Sequence, residues 1–582
     1  MKMTQLQVGG IMNNEEYIQY LNSLHNYNAQ NQNAYGEKNV KNSFFEEVVV
    51  KVGLCSFIKN QIENEKPHVL ILTGHAGDGK TSIMYQVLKD LKQEFNAEEK
   101  VSEITLENNK KIRCIKDFSE LSDDEKIKQL RECVELPNKG EFVFMVSNTG
   151  PLINTFGELF TDKEQKEKAK IELIDALDDN TGDIREICDY KISVINVAKV
   201  DNTKFAVEFV KNITKESLWS KCQECSNREY CFILRNRNLI QENKDKVLDF
   251  IKKHFIWLVE HGKRLTIRSM TEQLAYMITG GVDCNEVKNY KSNEMLFFNL
   301  FFGTLGCKDN PKANTILAIR ETKKCGYDKK RIRADEKLRI ENNYFDLFDG
   351  NMKSILKEEQ STNNNVFQSG WIEFLRRAYI FTNIVTDEKI CSRDMEDIFS
   401  KNYERFLELR DKDESKEIIS DHKILLDALS MMYLGKVMRK ENTLNITLNK
   451  DSGLTQNVQL IIGSLKSNRI KIKKEITNDS CFDNNNNRYE LRVSFDKKIL
   501  NTVITLPMLN YFEELRNGII STNIDPQLSH GVESLKAELF NASEQVEEDD
   551  DDMTNIEMIV IKNNNTKSYQ FAIDENYTIQ EL

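Results

Sequence analysis

A chain of 582 residues exceeds what one hydrophobic core can serve, so two to four domains are expected. Apolar residues make up 40% and charged residues 30%, and no run of eighteen apolar residues occurs, so a membrane-spanning protein is not expected. The formal net charge of −12 argues against a surface that coats nucleic acid throughout, although it leaves room for local basic strips.

The first residues, MKMTQLQVGGIMNNEEYIQY, lack an apolar segment followed by a small-residue cleavage site. The expectation is a cytoplasmic protein whose twelve cysteines are reduced, apart from the cluster discussed below. Residues 1–42 end in an Asn-rich, aperiodic stretch and read as an exposed N-terminal arm. SFFEEVVVKVGLCSFIKNQIENE then has apolar residues at helical spacing.

From there strands and helices alternate. HVLILTG is a buried strand, KTSIMYQVLKDLKQEF an amphipathic helix, and KKIRCIKDFSEL a strand running into a turn. SDDEKIKQLRECVEL is a helix with Ser122 as N-cap, and EFVFMVSNTG an apolar strand. DKEQKEKAKIELIDAL is a charged helix and YKISVINVAKVDN another strand. Such alternation with continuous apolar strands predicts a parallel sheet covered on both faces, an α/β core over residues 43–215.

A Cys-cluster insertion is expected over 216–232 and a helical lid or middle domain over 233–442, where KVLDFIKKHFIWLVEHG and SMTEQLAYMITGG have helical periodicity. Short alternating runs such as NVQLIIGSL and RYELRVSFD predict a smaller β-rich C-terminal domain over 443–582. Within it, EEDDDD (547–552) reads as a solvated loop and IEMIVIKNNNTKSYQFAID as a hairpin.

The sharpest chemical signal is Gly74-His75-Ala76-Gly77-Asp78-Gly79-Lys80-Thr81, followed by Ser82. It matches G-x-x-x-x-G-K-[ST] between an apolar strand and a helix, the setting of a P-loop NTPase core. Its glycines let backbone N–H groups face a phosphate at a helix N-terminus. Lys80 is the expected bridge between β- and γ-phosphates, and the Thr81 hydroxyl the ligand for Mg²⁺ of a bound ATP.

Hydrolysis also requires a strand-end acid and a group that positions water. Asp117, after KIRCIKD, is the candidate acid, with a helix cap as the competing role. Asn148 and Asn196 are strand amides that could sense the γ-phosphate, and Asn148 equally reads as a turn residue. Arg268 opens an apolar helix, where a cation on a lid would reach the γ-phosphate.

Cys222, Cys225 and Cys231 supply three corners of a zinc site in C-x₂-C-x₅-C spacing, against the alternative of a plain reduced-thiol loop. Cys188, His254 and Cys284 stand open as the fourth ligand. Two strips, 320–339 with nine Lys/Arg against four acids and 466–474 without an acid, are candidate DNA contacts or solvated faces. Arg376 and Arg377 lie among apolar residues and read as internally paired.

Taken in order, GHAGDGKTS, IRCIKDFSEL, the cysteine cluster, LTIRSMTEQLAYMITGG, FFNLFFGTLGCKDNP, FLRRAYIF and TLPMLNYFEELRNGII resemble the DptF family over most of residues 43–582. That family is the P-loop ATPase of bacterial phosphorothioation-dependent DNA restriction. The resemblance implies a cytoplasmic ATP-binding subunit that works with companion proteins, one helicase-like, against DNA lacking the sulfur modification. It supports Gly79, Lys80 and Thr81 as nucleotide contacts and Arg268 as a lid arginine, and leaves the acid at the second motif unassigned. A nucleotide-switch signalling NTPase with little turnover, and a zinc-containing scaffold whose loop binds nucleotide for stability, are the competing expectations.

Overall fold

The structure, a computed structural model, describes residues 14–27, 42–94, 99–339, 347–362, 370–383, 389–411, 419–437, 442–448, 457–482, 487–519, 521, 523–544, 554–562, 565–573 and 578–581. The chain divides into two compact units. The first comprises 1–259, 263–399 and 478–486; the second comprises 260–262, 400–477 and 487–582. The boundary expected at 443 thus falls at 400, and the segment 233–399 belongs to the same unit as the sheet.

The first unit is built on a six-stranded sheet. Its strands are β1 (Val69–Thr73), β2 (Val101–Thr105), β3 (Lys111–Ile115), β4 (Phe142–Val146), β5 (Ile184–Ile187) and β6 (Tyr190–Asn196), in the order β2-β3-β4-β1-β6-β5. The central four are parallel, with Leu70 beside Phe144 and Thr73 beside Asn196.

Side chains alternate between two buried layers, as a pleated strand requires. Leu70, Leu72, Phe142, Phe144 and Val146 face the helices Gly53–Asn64 and Lys80–Asp90. Val69, Ile71, Val143 and Met145 face Asp123–Glu135, Thr149–Gly157 and Lys163–Asp179. With both faces covered, β1 and β4 are buried along their whole length, and each buried Leu, Ile or Phe contributes about 1.5–3 kcal/mol. Ser122 is the N-cap of its helix, as expected, and the Glu125 carboxylate accepts from its N–H at 3.0 Å.

The sheet is not wholly parallel. β2 pairs antiparallel with β3, and β5 with β6. Tight turns dictate this: Asn109 (φ +62°) turns β2 into β3, while Cys188 and Asp189 (φ +48° and +69°) turn β5 into β6. A two-residue turn with both residues left-handed suits an antiparallel hairpin, whereas parallel neighbours need a long crossover.

The N-terminal arm expected over 1–42 is in part a helix, Asn14–Ser23, with Tyr17, Ile18, Tyr20 and Leu21 buried. Tyr17 donates to Ile213 O at 2.7 Å and meets the Trp219 ring edge-on at 5.7 Å. Residues 1–13 and 28–41 lie outside the described residues.

Among the described residues, the segment from 203 to 399 is helical, as expected, apart from a two-residue ladder between Thr304–Leu305 and Lys308–Asp309. Arg376 and Arg377 are internally paired: Arg376 Nε reaches Asp335 at 2.8 Å, and Arg377 reaches Asp328 at 2.7 Å and Asn299 at 3.0 Å.

The second unit carries a five-stranded sheet and a three-stranded sheet, both antiparallel, with helices such as Ile419–Leu434 and Pro526–Glu544. The expected hairpin joins Thr554–Lys562 to Asn565–Ile573. The acidic run 547–552 lies outside the described residues. Among the described residues no helix is long and apolar enough to cross a membrane.

Candidate functional site

β1 delivers a buried Thr73 to the carboxyl edge of the parallel strands, where the chain enters the glycine loop. Gly77 (φ +91°) and Gly79 (φ +81°) occupy left-handed backbone, which a side chain would strain. Space is tight as well: a Cβ on Gly77 would stand 3.2 Å from Arg268 Cβ and from Thr266 Oγ1, and one on Gly79 3.1 Å from Ile267 Cδ1. Gly79 then caps the helix Lys80–Asp90.

The loop is braced from inside. Asp78 is fully buried and accepts from His75 N at 2.9 Å. Its other oxygen meets Arg264 Nη1 at 2.9 Å, and Arg264 Nη2 reaches Val197 O at 2.8 Å. The Asp78 carboxylate is therefore a strut of the loop, while the His75 and Ala76 side chains face solvent. Thr81 and Ser82 are half-buried on the first helical turn.

Lys80 is buried, and its ammonium donates to Gly74 O at 3.1 Å, His75 O at 2.8 Å and Asn148 Oδ1 at 3.0 Å. These three acceptors match its three protons. Burial holds its pKa below the ordinary lysine range, opposed by Asp78 and Asp117 and reinforced by Arg268.

Ser119 links the ends of β3 and β4. Its N–H donates to Asp117 Oδ1 at 2.9 Å, and its hydroxyl accepts from Asn148 N at 2.8 Å. Asp117 thus caps the short turn Phe118–Glu120 while lying within electrostatic range of Lys80. Asn148 is the N-cap of Thr149–Gly157, the turn role expected of it, and its Oδ1 also accepts from Lys80. Asn196 lies beside Thr73, but its Oδ1 caps Ala198 N at 3.1 Å.

The helix Ile267–Thr279 begins against the loop: Thr266 is its N-cap, and Arg268 N donates to Gly77 O at 3.0 Å. Arg268 is within electrostatic range of Lys80 and of Glu272, one turn further on. Glu272 is buried, which raises its pKa to about 7 against the pull of Arg268, and it accepts from Asn26 Nδ2 at 3.1 Å.

Beside Gly79 and Ser82 opens an apolar cavity whose walls include Phe45, Val50, Phe205, Phe209, Ile267 and Thr271. The rings of Phe205 and Phe209 stack at 5.6 Å.

No protein family, curated protein or solved structure matches this chain.

The sequence reading missed Arg264, Thr266, Ser119 and Glu272. Glu272 was legible in principle, since its spacing from Arg268 places both on one helix face. Ser119 and Arg264 act only through the tertiary fold.

The cysteine cluster lies apart from the glycine loop in sequence. Cys222 is buried and accepts from Asn14 Nδ2 at 2.7 Å; Cys225 is exposed; Cys231 is the N-cap of Phe232–Glu242. Among the described residues, no three His, Cys, Asp or Glu side chains are drawn together as a formed metal site. Much of the basic strip 320–339 is committed internally: Lys323 pairs with Asp309 at 2.7 Å, Lys324 with Glu321 at 2.7 Å, and Lys330 donates to Ile398 O at 2.7 Å.

Proposed function

We propose that the chain binds ATP with Mg²⁺ through residues 74–82 and hydrolyses it, as the ATPase subunit of a multi-protein bacterial complex that restricts DNA lacking phosphorothioate modification. The observation that carries nucleotide binding is the Lys80 ammonium, gathered between the Gly74 and His75 carbonyls and Asn148 at the carboxyl edge of the sheet. Open α/β sheets bind ligands at that edge, and a helix N-terminus there offers N–H donors to phosphate.

In this reading Lys80 turns from the loop carbonyls to the β- and γ-phosphates, and the Thr81 hydroxyl holds Mg²⁺. Held there, Mg²⁺ would supply neutralisation of charge on the transferring phosphoryl group. The apolar cavity beside Ser82 seats the base between aromatic and aliphatic walls. Asn148 and Arg268 address the γ-phosphate, and Asp117 is the acid on the metal side.

The restriction assignment rests on the ordered resemblance to the DptF family. The net charge of −12 and the internal pairing of strip 320–339 fit a subunit whose companions, including a helicase-like protein, make most of the DNA contact. A second reading, a nucleotide switch with little turnover, is favoured by one observation: Asp117 already spends an oxygen on the Ser119 cap.

The deciding experiment is steady-state ATPase activity of the chain with its companion subunits, on modified and unmodified DNA. Turnover stimulated by unmodified DNA supports the restriction ATPase. Tightly retained ADP with negligible turnover on either DNA supports the switch and overturns the first reading.

A further inference from the structure

Three of the cysteines in this chain share one short segment. Cys222 and Cys225 lie on a 3₁₀ turn, with Cys225 N donating to Cys222 O at 3.3 Å. The chain folds back through Arg228, whose O accepts from Cys231 N at 3.4 Å. Cys231 opens the next helix, Phe232–Glu242, as its N-cap.

A fourth thiol is brought in from 53 positions beyond Cys231 by the fold. Cys284 sits on the turn that follows the helix Ile267–Thr279. That turn is fastened to the N-terminal helix: Asn22 Nδ2 donates to Val282 O at 3.0 Å and to Asp283 Oδ1 at 2.7 Å, and Asn285 Nδ2 donates to Glu15 Oε1 at 2.7 Å. Asn14, one residue before Glu15, donates to Cys222 Sγ. The same helix end therefore touches both the Cys222 sulfur and the neighbour of Cys284. Ser292 Oγ donates to Tyr230 O at 3.0 Å and Arg235 to Asn293 at 2.8 Å, which lays the 284–293 segment along the Cys231 turn. Cys284 is within electrostatic range of all three other thiols.

The other two candidates for the fourth position are committed elsewhere. Cys188 meets the Glu172 carboxylate through its N–H and its Sγ. His254 is fully buried, with Tyr327 OH 3.2 Å from Nδ1 and Thr322 Oγ1 3.1 Å from Nε2.

We propose that Cys222, Cys225, Cys231 and Cys284 are the four ligands of a structural zinc ion, tying the start of helix Phe232–Glu242 to the end of helix Ile267–Thr279. The four thiols lie within electrostatic range of one another and are not closed into a tetrahedron. A divalent cation supplies the attraction, and each coordinated thiol gives its proton to solvent. The consequence is mechanical: the clamp fixes the far end of the helix whose first turn contacts Gly77. The assignment is independent of the ATPase reading, since zinc is measured without nucleotide.

Full-length chain purified without chelator is assayed for zinc by elemental mass spectrometry and for cobalt(II) uptake by absorption spectroscopy. Wild type is expected to hold close to one zinc per chain and to give the ligand-field bands of tetrahedral thiolate cobalt. Cys284→Ser is expected to weaken zinc retention against a competing chelator at least tenfold, comparable to or beyond the loss of an outer-shell partner, and Cys188→Ser to leave it unchanged. X-ray absorption on folded wild type guards against a variant that misfolds, and is expected to show four sulfur neighbours at about 2.3 Å. A wild type that takes up neither metal, a nitrogen or oxygen in the first shell, or unchanged retention in Cys284→Ser overturns the proposal.

Discussion

Lys80 Nζ donates a 3.0 Å hydrogen bond to Asn148 Oδ1, joining the first residue of the glycine-loop helix to the end of the adjacent strand. Asn148 in turn donates its N–H to Ser119, whose own N–H holds Asp117. One chain of contacts therefore sets the lysine, the amide and the acid. Asn148→Ala is expected to change ATP affinity by under about tenfold, the worth of a single hydrogen bond. Turnover should fall about 100-fold if the amide acts on the transferring phosphate. Titration and steady-state kinetics on one preparation separate the two effects, and equal losses in both would remove the catalytic role.

Gly77 and Gly140 share a left-handed backbone, at φ +91° and +83°, but only Gly77 has neighbours within 4 Å of an added Cβ. Gly140→Ala isolates the backbone term, about 1 kcal/mol. Gly77→Ala adds contact with Thr266 and Arg268 and should cost about 1–3 kcal/mol in total. It should also weaken the thermal stabilisation given by ATP, which Gly140→Ala should leave intact. Melting curves with and without ATP check both.

Arg264→Ala leaves the Asp78 carboxylate, fully buried, without its cation. Breaking a buried pair by removing one partner costs about 3 kcal/mol. Arg264→Lys should rescue only part of this, because the guanidinium also reaches Val197 O at 2.8 Å and an ammonium lacks that fork. Chemical denaturation of the three proteins gives the comparison.

Glu272 should impose a pH slope on stability. Its pKa rises from 4.5 to about 7 on folding, through burial, so between those values the folded chain binds more protons than the unfolded one. Stability from this group is present below pH 4.5 and lost as pH rises to 7, a term of about 3 kcal/mol at most. His25 and His254, lowered by burial from 6.5 to about 3, act in the opposite sense and lose stability as pH falls below 6.5. Glu272→Gln should remove the first term alone and stabilise the chain at pH 7.5. A variant whose pH–stability profile overlies wild type would show that Glu272 does not carry it.

The central strands and the glycine loop were legible because their determinants are local. A doubly buried strand has no polar alternation, and the loop carries its glycines at fixed spacing. The antiparallel edges were not legible. The β2–β3 edge depends on Asn109, and the β5–β6 edge on Cys188 and Asp189, adopting left-handed backbone, which a cysteine does not advertise. The N-terminal helix was hidden for another reason: Tyr17 and Tyr20 are spaced for a buried face, but the Asn-rich stretch that follows obscured it. In the site, Lys80 and Arg268 came from motif and position, whereas Ser119 and Arg264 matter only because folding brings β3, β4 and the loop together.

The most direct test of the account is equilibrium titration of the chain with ATP and Mg²⁺, wild type beside Lys80→Ala. Loss of charged hydrogen bonds worth about 3 kcal/mol predicts saturable wild-type binding weakened about 100-fold in the variant. Equal affinity in the two proteins, or a wild type that binds no nucleotide, would contradict it.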